Sequence, residues 1–138
     1  MQIKNGVYVP VELDWNTVKG KIDAEVAHDP EFKFFPAGTP VSSDGDLKYV
    51  GGAAQSPDTT NVVGILSENL WVLPDHPVIK SVNALVGGDV ILDADIMEES
   101  GPDFNVLLNI MFPVAAELLS NLRFYLKDGS DLRAQIGG

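Results

Sequence analysis

Cysteine is absent from this chain of 138 residues. That excludes a disulfide framework, thiolate nucleophiles and sulfur-ligated metal sites. Small proteins that work outside the cell usually lean on disulfides, so durability there would need another source, such as association of copies. Histidine is nearly absent too. His28 and His76 each sit in a polar, turn-like setting, His28-Asp29-Pro30 and Asp75-His76-Pro77. No further groups stand at ligand spacing from either, so both read as turn residues and no metal is expected. Positive charge is scarce: nine Lys and Arg stand against twenty Asp and Glu, a formal net charge of −11. Nucleic-acid backbones are bound through clustered Lys and Arg, so no nucleic-acid partner is expected. The acidity serves solubility first; beyond that it suits a basic protein partner, or more remotely mimicry of a nucleic acid.

Long apolar runs are missing as well. The most apolar stretch, residues 106–119, is interrupted by Asn109, Pro113 and Glu117, far from the roughly 20 apolar residues of a membrane span. The first residues, Met1-Gln2-Ile3-Lys4-Asn5-Gly6, carry no secretory pattern. The expectation is a soluble chain made in the cytoplasm, with no membrane partner. Motifs for chemistry are equally sparse. There is no Gly-x-Ser-x-Gly elbow and no phosphate-cradling glycine loop, so neither catalysis nor a cofactor is expected. The acidic clusters, Asp44-Gly45-Asp46 and the group Asp93, Asp95, Glu98 and Glu99, lack the twelve-residue calcium pattern and read as solvated turns or edge-protecting charges. Asp58-Thr59-Thr60 resembles an aspartic-protease triplet only faintly. Thr60 stands where glycine is required, and Gln55-Ser56-Pro57 precedes it in place of an apolar strand.

What the sequence does contain is a β cadence. Residues 7–11, Val-Tyr-Val-Pro-Val, form a strand that Pro10 confines to a sheet edge. In residues 14–27, Trp15, Val18, Ile22 and Val26 recur at helical spacing, with Asp14 as a possible N-cap; an extended arm that orders on a partner is the equal alternative. From Phe34 onward, short apolar runs alternate with Gly, Pro and Asp turns. Residues 36–40 form a proline-fixed turn, and 42–46 a turn signalled by Asp-Gly. Residues 47–50 read as a strand and 51–61 as an exposed loop. Residues 62–66, Val-Val-Gly-Ile-Leu, read as a buried central strand. Another strand follows at 70–73, with Trp71 in the core. Residues 78–82 and 84–86 come next, and Gly87-Gly88-Asp89 turns into Val90-Ile91-Leu92. Pro113 opens a short helix over 113–121, and a strand follows at 123–126. The fold class is mainly β: a small β-barrel or β-sandwich, β-tulip-like, with one short C-terminal helix and an N-terminal arm. Residues 1–33 form the arm or leader, and 34–138 the β-rich core. Trp15, flanked by Asp14 and Asn16, is a candidate partner anchor, since large aromatics carry interface energy.

The sequence Pro-Ala-Gly-Thr-Pro-Val, Asp-Gly-Asp-Leu-Lys-Tyr-Val, Val-Val-Gly-Ile-Leu, Leu-Val-Gly-Gly-Asp-Val-Ile-Leu and Leu-Leu-Ser-Asn-Leu-Arg-Phe-Tyr, in that order, resembles tailed-phage head decoration and head fibre proteins over residues 34–126. The resemblance implies a capsid-stabilising virion protein, usually a homotrimer. It would sit on the major capsid protein at the capsid surface, be made in the bacterial cytoplasm, and have no active site. In that family an N-terminal segment often clamps the shell. By position the matching segment is residues 1–33, and Val7, Tyr8, Val9 and Trp15 are its contact candidates.

Two other classes compete. A barrel-sandwich carrier would present a modified lysine on a hairpin; Lys80 is the candidate, without the usual flanking residues. A small acidic hydrolase would use Asp44 or Asp58 and needs a pocket where carboxylates of shifted pKa converge.

Overall fold

Strand-forming runs punctuated by Gly, Pro and Asp give a mainly β protein. The computed structural model describes residues 2–51, 58–72, 81–92 and 111–126. The elements run β1 (Gln2–Glu12), α1 (Trp15–His28), β2 (Phe34–Phe35), β3 (Pro40–Ser42), β4 (Val62–Leu66), β5 (Leu70–Trp71), β6 (Ser81–Leu92), α2 (Phe112–Leu118) and β7 (Leu122–Leu126). Among the described residues two sheets form, one of five strands and one of two, and neither closes into a barrel. The arrangement is sandwich-like.

β6 is the spine of the larger sheet. β1 lies antiparallel along its whole length, from Gln2 opposite Ile91 to Glu12 opposite Ser81. The opposite edge of β6 is shared. β4 takes its first half, with Ile65 opposite Leu85, and β7 runs parallel to its second half, from Gly88 opposite Leu122 to Leu92 opposite Leu126. A parallel partner needs a crossover rather than a tight turn, and α2 sits in the chain just before β7. β3 closes the sheet beside β4, leaving β4 in the interior as its unbroken apolar run requires. β1 thus belongs to the same sheet as strands of the core.

The core gathers where these elements meet. Val41, Ile65, Ala84, Leu85, Val90, Phe112, Ala115, Leu122 and Phe124 are fully buried. The Phe112 and Phe124 rings pack at 5.7 Å. Phe35 meets Phe32 edge-on at 5.3 Å and Tyr49 at 5.4 Å, geometries that aromatic quadrupoles favour.

Of the two readings of residues 14–27 the structure has the helix, over Trp15–His28, with Asp14 at the N-cap position and no side-chain cap bond. The helix holds because Val18 is buried while Trp15 and Ile22 pack on the core. With α2 it makes two helices among the described residues. Three other expectations change. Residues 47–50 are not a strand: only Leu47 bridges Val41, and the Tyr49 N–H donates back to the Leu47 carbonyl at 2.8 Å. Gly87-Gly88-Asp89 is not a turn; it runs through the middle of β6. Trp71 is not core. It is 48% exposed and lies against Phe34 at 4.5 Å across the two-stranded sheet.

Candidate partner-contact surface

β1 is the end strand of its sheet, so no described strand lies along its outer edge. Its side chains are correspondingly open. Val7 is 56% exposed, Tyr8 46% and Val9 37%, and burial begins only at Val11. Three consecutive exposed apolar side chains on an edge strand are unusual for a surface with no task. The three β1 candidates from the sequence are therefore together and accessible. Trp15 is separate from them in character: it is half-buried against the core.

The backbone of this strand is not plain. Lys4 pairs with Asp89 and Val7 with Gly87, which leaves Asn5 and Gly6 opposite the single residue Gly88; the register then recovers at Tyr8 and Leu85. Asn5 takes a positive φ of 56°, within reach of asparagine. Gly88, at φ 117°, lets the two backbones close: a Cβ there would lie 2.8 Å from the Asn5 carbonyl oxygen and 2.9 Å from that of Lys4. Bulge, Pro10 and the charges of Lys4 and Glu12 are the devices that keep an edge strand from recruiting another strand.

Two grooves border β1. Tyr8 lines one of about 450 Å³ with Leu70 and Asn83. The other, of about 550 Å³, is lined by residues 9–14 with Ser43, Asp44 and Val63. The Asp14 N–H donates to the Gly45 carbonyl at 3.0 Å, which holds the 43–45 turn against the end of β1.

Behind that turn lies an ion network that sequence reasoning missed. Lys48 is only 7% exposed and reaches Asp58 at 3.0 Å and Asp46 at 3.3 Å; Lys21 reaches Asp46 at 3.0 Å. Burial lowers the Lys48 pKa most, but its bonds to Asp58 and Asp46 together raise it above the ordinary value. The Thr60 N–H, and then Lys48, hold Asp58 well below the usual carboxylate range. The Ser42 hydroxyl, donating to Asp44, lowers that carboxyl as well. Both are thus kept as anions, the reverse of what a proton donor needs. The Asp58-Thr59-Thr60 triplet is an Asx turn, with the Thr60 N–H bonded to Asp58 at 2.9 Å.

His28 is exposed at the last position of α1. His76, Lys80, Asp93, Asp95, Glu98 and Glu99 lie outside the described residues. Among the described residues no group of three or more His, Asp and Glu could hold a metal ion, and no helix is long and apolar enough to cross a membrane. No family model, curated protein or solved structure matches the chain. Fold and surface define a sandwich-like, mainly β protein with an open apolar edge strand at its N-terminal end.

Proposed function

We propose that the protein is a structural capsid decoration protein of a tailed phage or prophage, of head-stabilising or head fibre type. It binds the assembled shell of major capsid protein as a homotrimer. The observation that carries this reading is the exposed trio Val7, Tyr8 and Val9 on a strand that is otherwise integral to the main sheet. Such a surface suits a protein whose work is contact, and the body behind it is a braced β fold.

The positions behind the family resemblance also support it. Residues 38–41 form a turn into β3, Gly64 lies in β4 and Gly88 in β6, and α2 leads directly to β7. A decoration protein needs no catalytic pocket. It gains stability outside the cell by mass action from its contacts, with no disulfide required.

The test is sedimentation of the purified protein with phage heads that lack it, together with light scattering of the free protein. A trimer that co-sediments in stoichiometric amount is expected. Replacing the trio (V7S/Y8S/V9S) removes about 3 kcal/mol of contact, a loss of roughly 100-fold in affinity, with an unchanged circular dichroism spectrum. A monomer that stays in the supernatant would sink the proposal.

A further inference from the structure

We infer that the groove along residues 9–14 docks an extended, basic and aliphatic polypeptide segment from a different protein. The inference rests on the decoration reading only for which protein supplies that segment.

The lining of this groove includes the aliphatic residues Val9, Pro10 and Val63, with Val9 37% exposed. It is also anionic. Glu12, Asp14 and Asp44 are all exposed, and among the described residues no Lys or Arg forms an ion pair with any of them. Glu12 ends β1, and Asp14 continues in extended conformation with φ −79° and ψ 100°. Two residues of extended chain place the Cα atoms of Glu12 and Asp14 about 7 Å apart, while Leu13 between them is buried. That spacing matches alternate side chains of a second extended segment. Lys or Arg at such positions would lay aliphatic stems on Pro10, which shares the side of Glu12 and Asp14, and on Val63, and carry the charged heads to the two carboxylates.

Two other occupants fit less well. A second copy bringing the same face would set three carboxylates against three, in a chain that already carries −11. A strand added by its backbone to the outer edge of β1 meets Pro10, which has no N–H, and the bulge at Asn5 and Gly6. The occupant is therefore gripped by its side chains.

The test is a two-dimensional NMR titration of the full chain with the synthetic peptide acetyl-Val-Lys-Val-Lys-Val-Lys-amide and its Glu-for-Lys counterpart. The basic peptide is expected to shift the amides of Val9, Glu12, Asp14 and Val63, and the acidic one to shift none. E12Q/D14N should weaken the basic peptide about fivefold, the worth of two exposed ion pairs. D23N/E31Q, which removes the same charge from exposed positions elsewhere, should change it less than about twofold. Equal weakening in both variants, absent shifts at the groove, or equal binding of the acidic peptide would overturn the inference. So would self-association strengthened by E12Q/D14N, which would name a second copy as the occupant. Failure is separable from that of the decoration reading: E12Q/D14N protein that still saturates heads sinks the groove alone, and wild type that takes the basic peptide but ignores heads sinks the capsid alone.

Discussion

Lys48 shows how far a single residue departs from its type. Lysine is rarely buried unless paired, and here it is paired twice, with Asp46 two positions away and Asp58 ten away. Sequence reading placed it in a short strand and Asp58 in an exposed loop, because nothing local marks a charge that will be covered. Lys21 on α1, 25 residues before Asp46, shares that carboxylate with Lys48, a contact fixed only by the tertiary fold. K48M is expected to destabilise the protein by about 2 kcal/mol, since it removes a charged hydrogen-bond donor and leaves the half-buried Asp46 with Lys21 alone. Urea denaturation at neutral pH reads this as a lower midpoint with unchanged slope. An unmoved midpoint would mean that the desolvation of Lys48 already offsets its ion pairs.

Among the elements, what was legible followed local chemistry. Pro10 marked β1 as an edge strand, the Val-Val-Gly-Ile-Leu run marked β4 as interior, and Pro113 marked the start of α2. The misreadings have physical causes as well. Glycine serves both tight turns and close backbone approach, and Gly87-Gly88 serves the second: it lets β1 cross tightly over an unbroken β6. Only the identity of the opposing strand distinguishes the two, and that strand lies some 80 positions earlier. Trp71 was misplaced because its run of neighbours is apolar, whereas β5 pairs with the two-residue β2 and leaves one face open. α1 was ambiguous because most of its surface is solvated, with only Val18 and Glu25 buried. Of the contact surface, the sequence marked the trio on β1, but the groove along residues 9–14 needed the turn at 43–45 brought back beside Glu12. The crossing makes a prediction at this scale. G88A places a Cβ against the Asn5 and Lys4 carbonyls at a φ that L residues rarely adopt, and is expected to cost about 2 kcal/mol. Hydrogen exchange should quicken at β1 before α2 or β7. Uniform quickening would show instead that β1 unfolds only with the whole domain.

For the whole molecule the governing quantity is the charge of −11 in a chain with a pI near 4.3. At neutral pH it repels itself, and salt should relieve that repulsion more than it weakens the partly buried network around Lys48. Acidification toward the pI relieves it too, until the network fails. Asp58 and Asp44 have folded pKa values below their ordinary ones. Their contribution is therefore present above the unfolded value of about 3.9 and lost as pH falls below it. On the alkaline side, burial first, and then the charges of Glu25 and Asp29, push Tyr49 up to about 12. Its neutral form is the one the fold favours, so that contribution is whole below about pH 10 and lost as pH climbs through 12. Lys48, raised as well, adds a loss in the same alkaline range. Thermal melts across pH should accordingly peak nearer pH 5 than pH 7 and fall steeply below about 4 and above about 10. At pH 7 the melting temperature should rise by several degrees on adding about 0.5 M sodium chloride. A fall with salt would mean that the Lys48 network outweighs the repulsion of the whole surface. The optimum would then move up toward neutrality, because the carboxylates that clasp Lys48 would matter more than the excess charge they belong to.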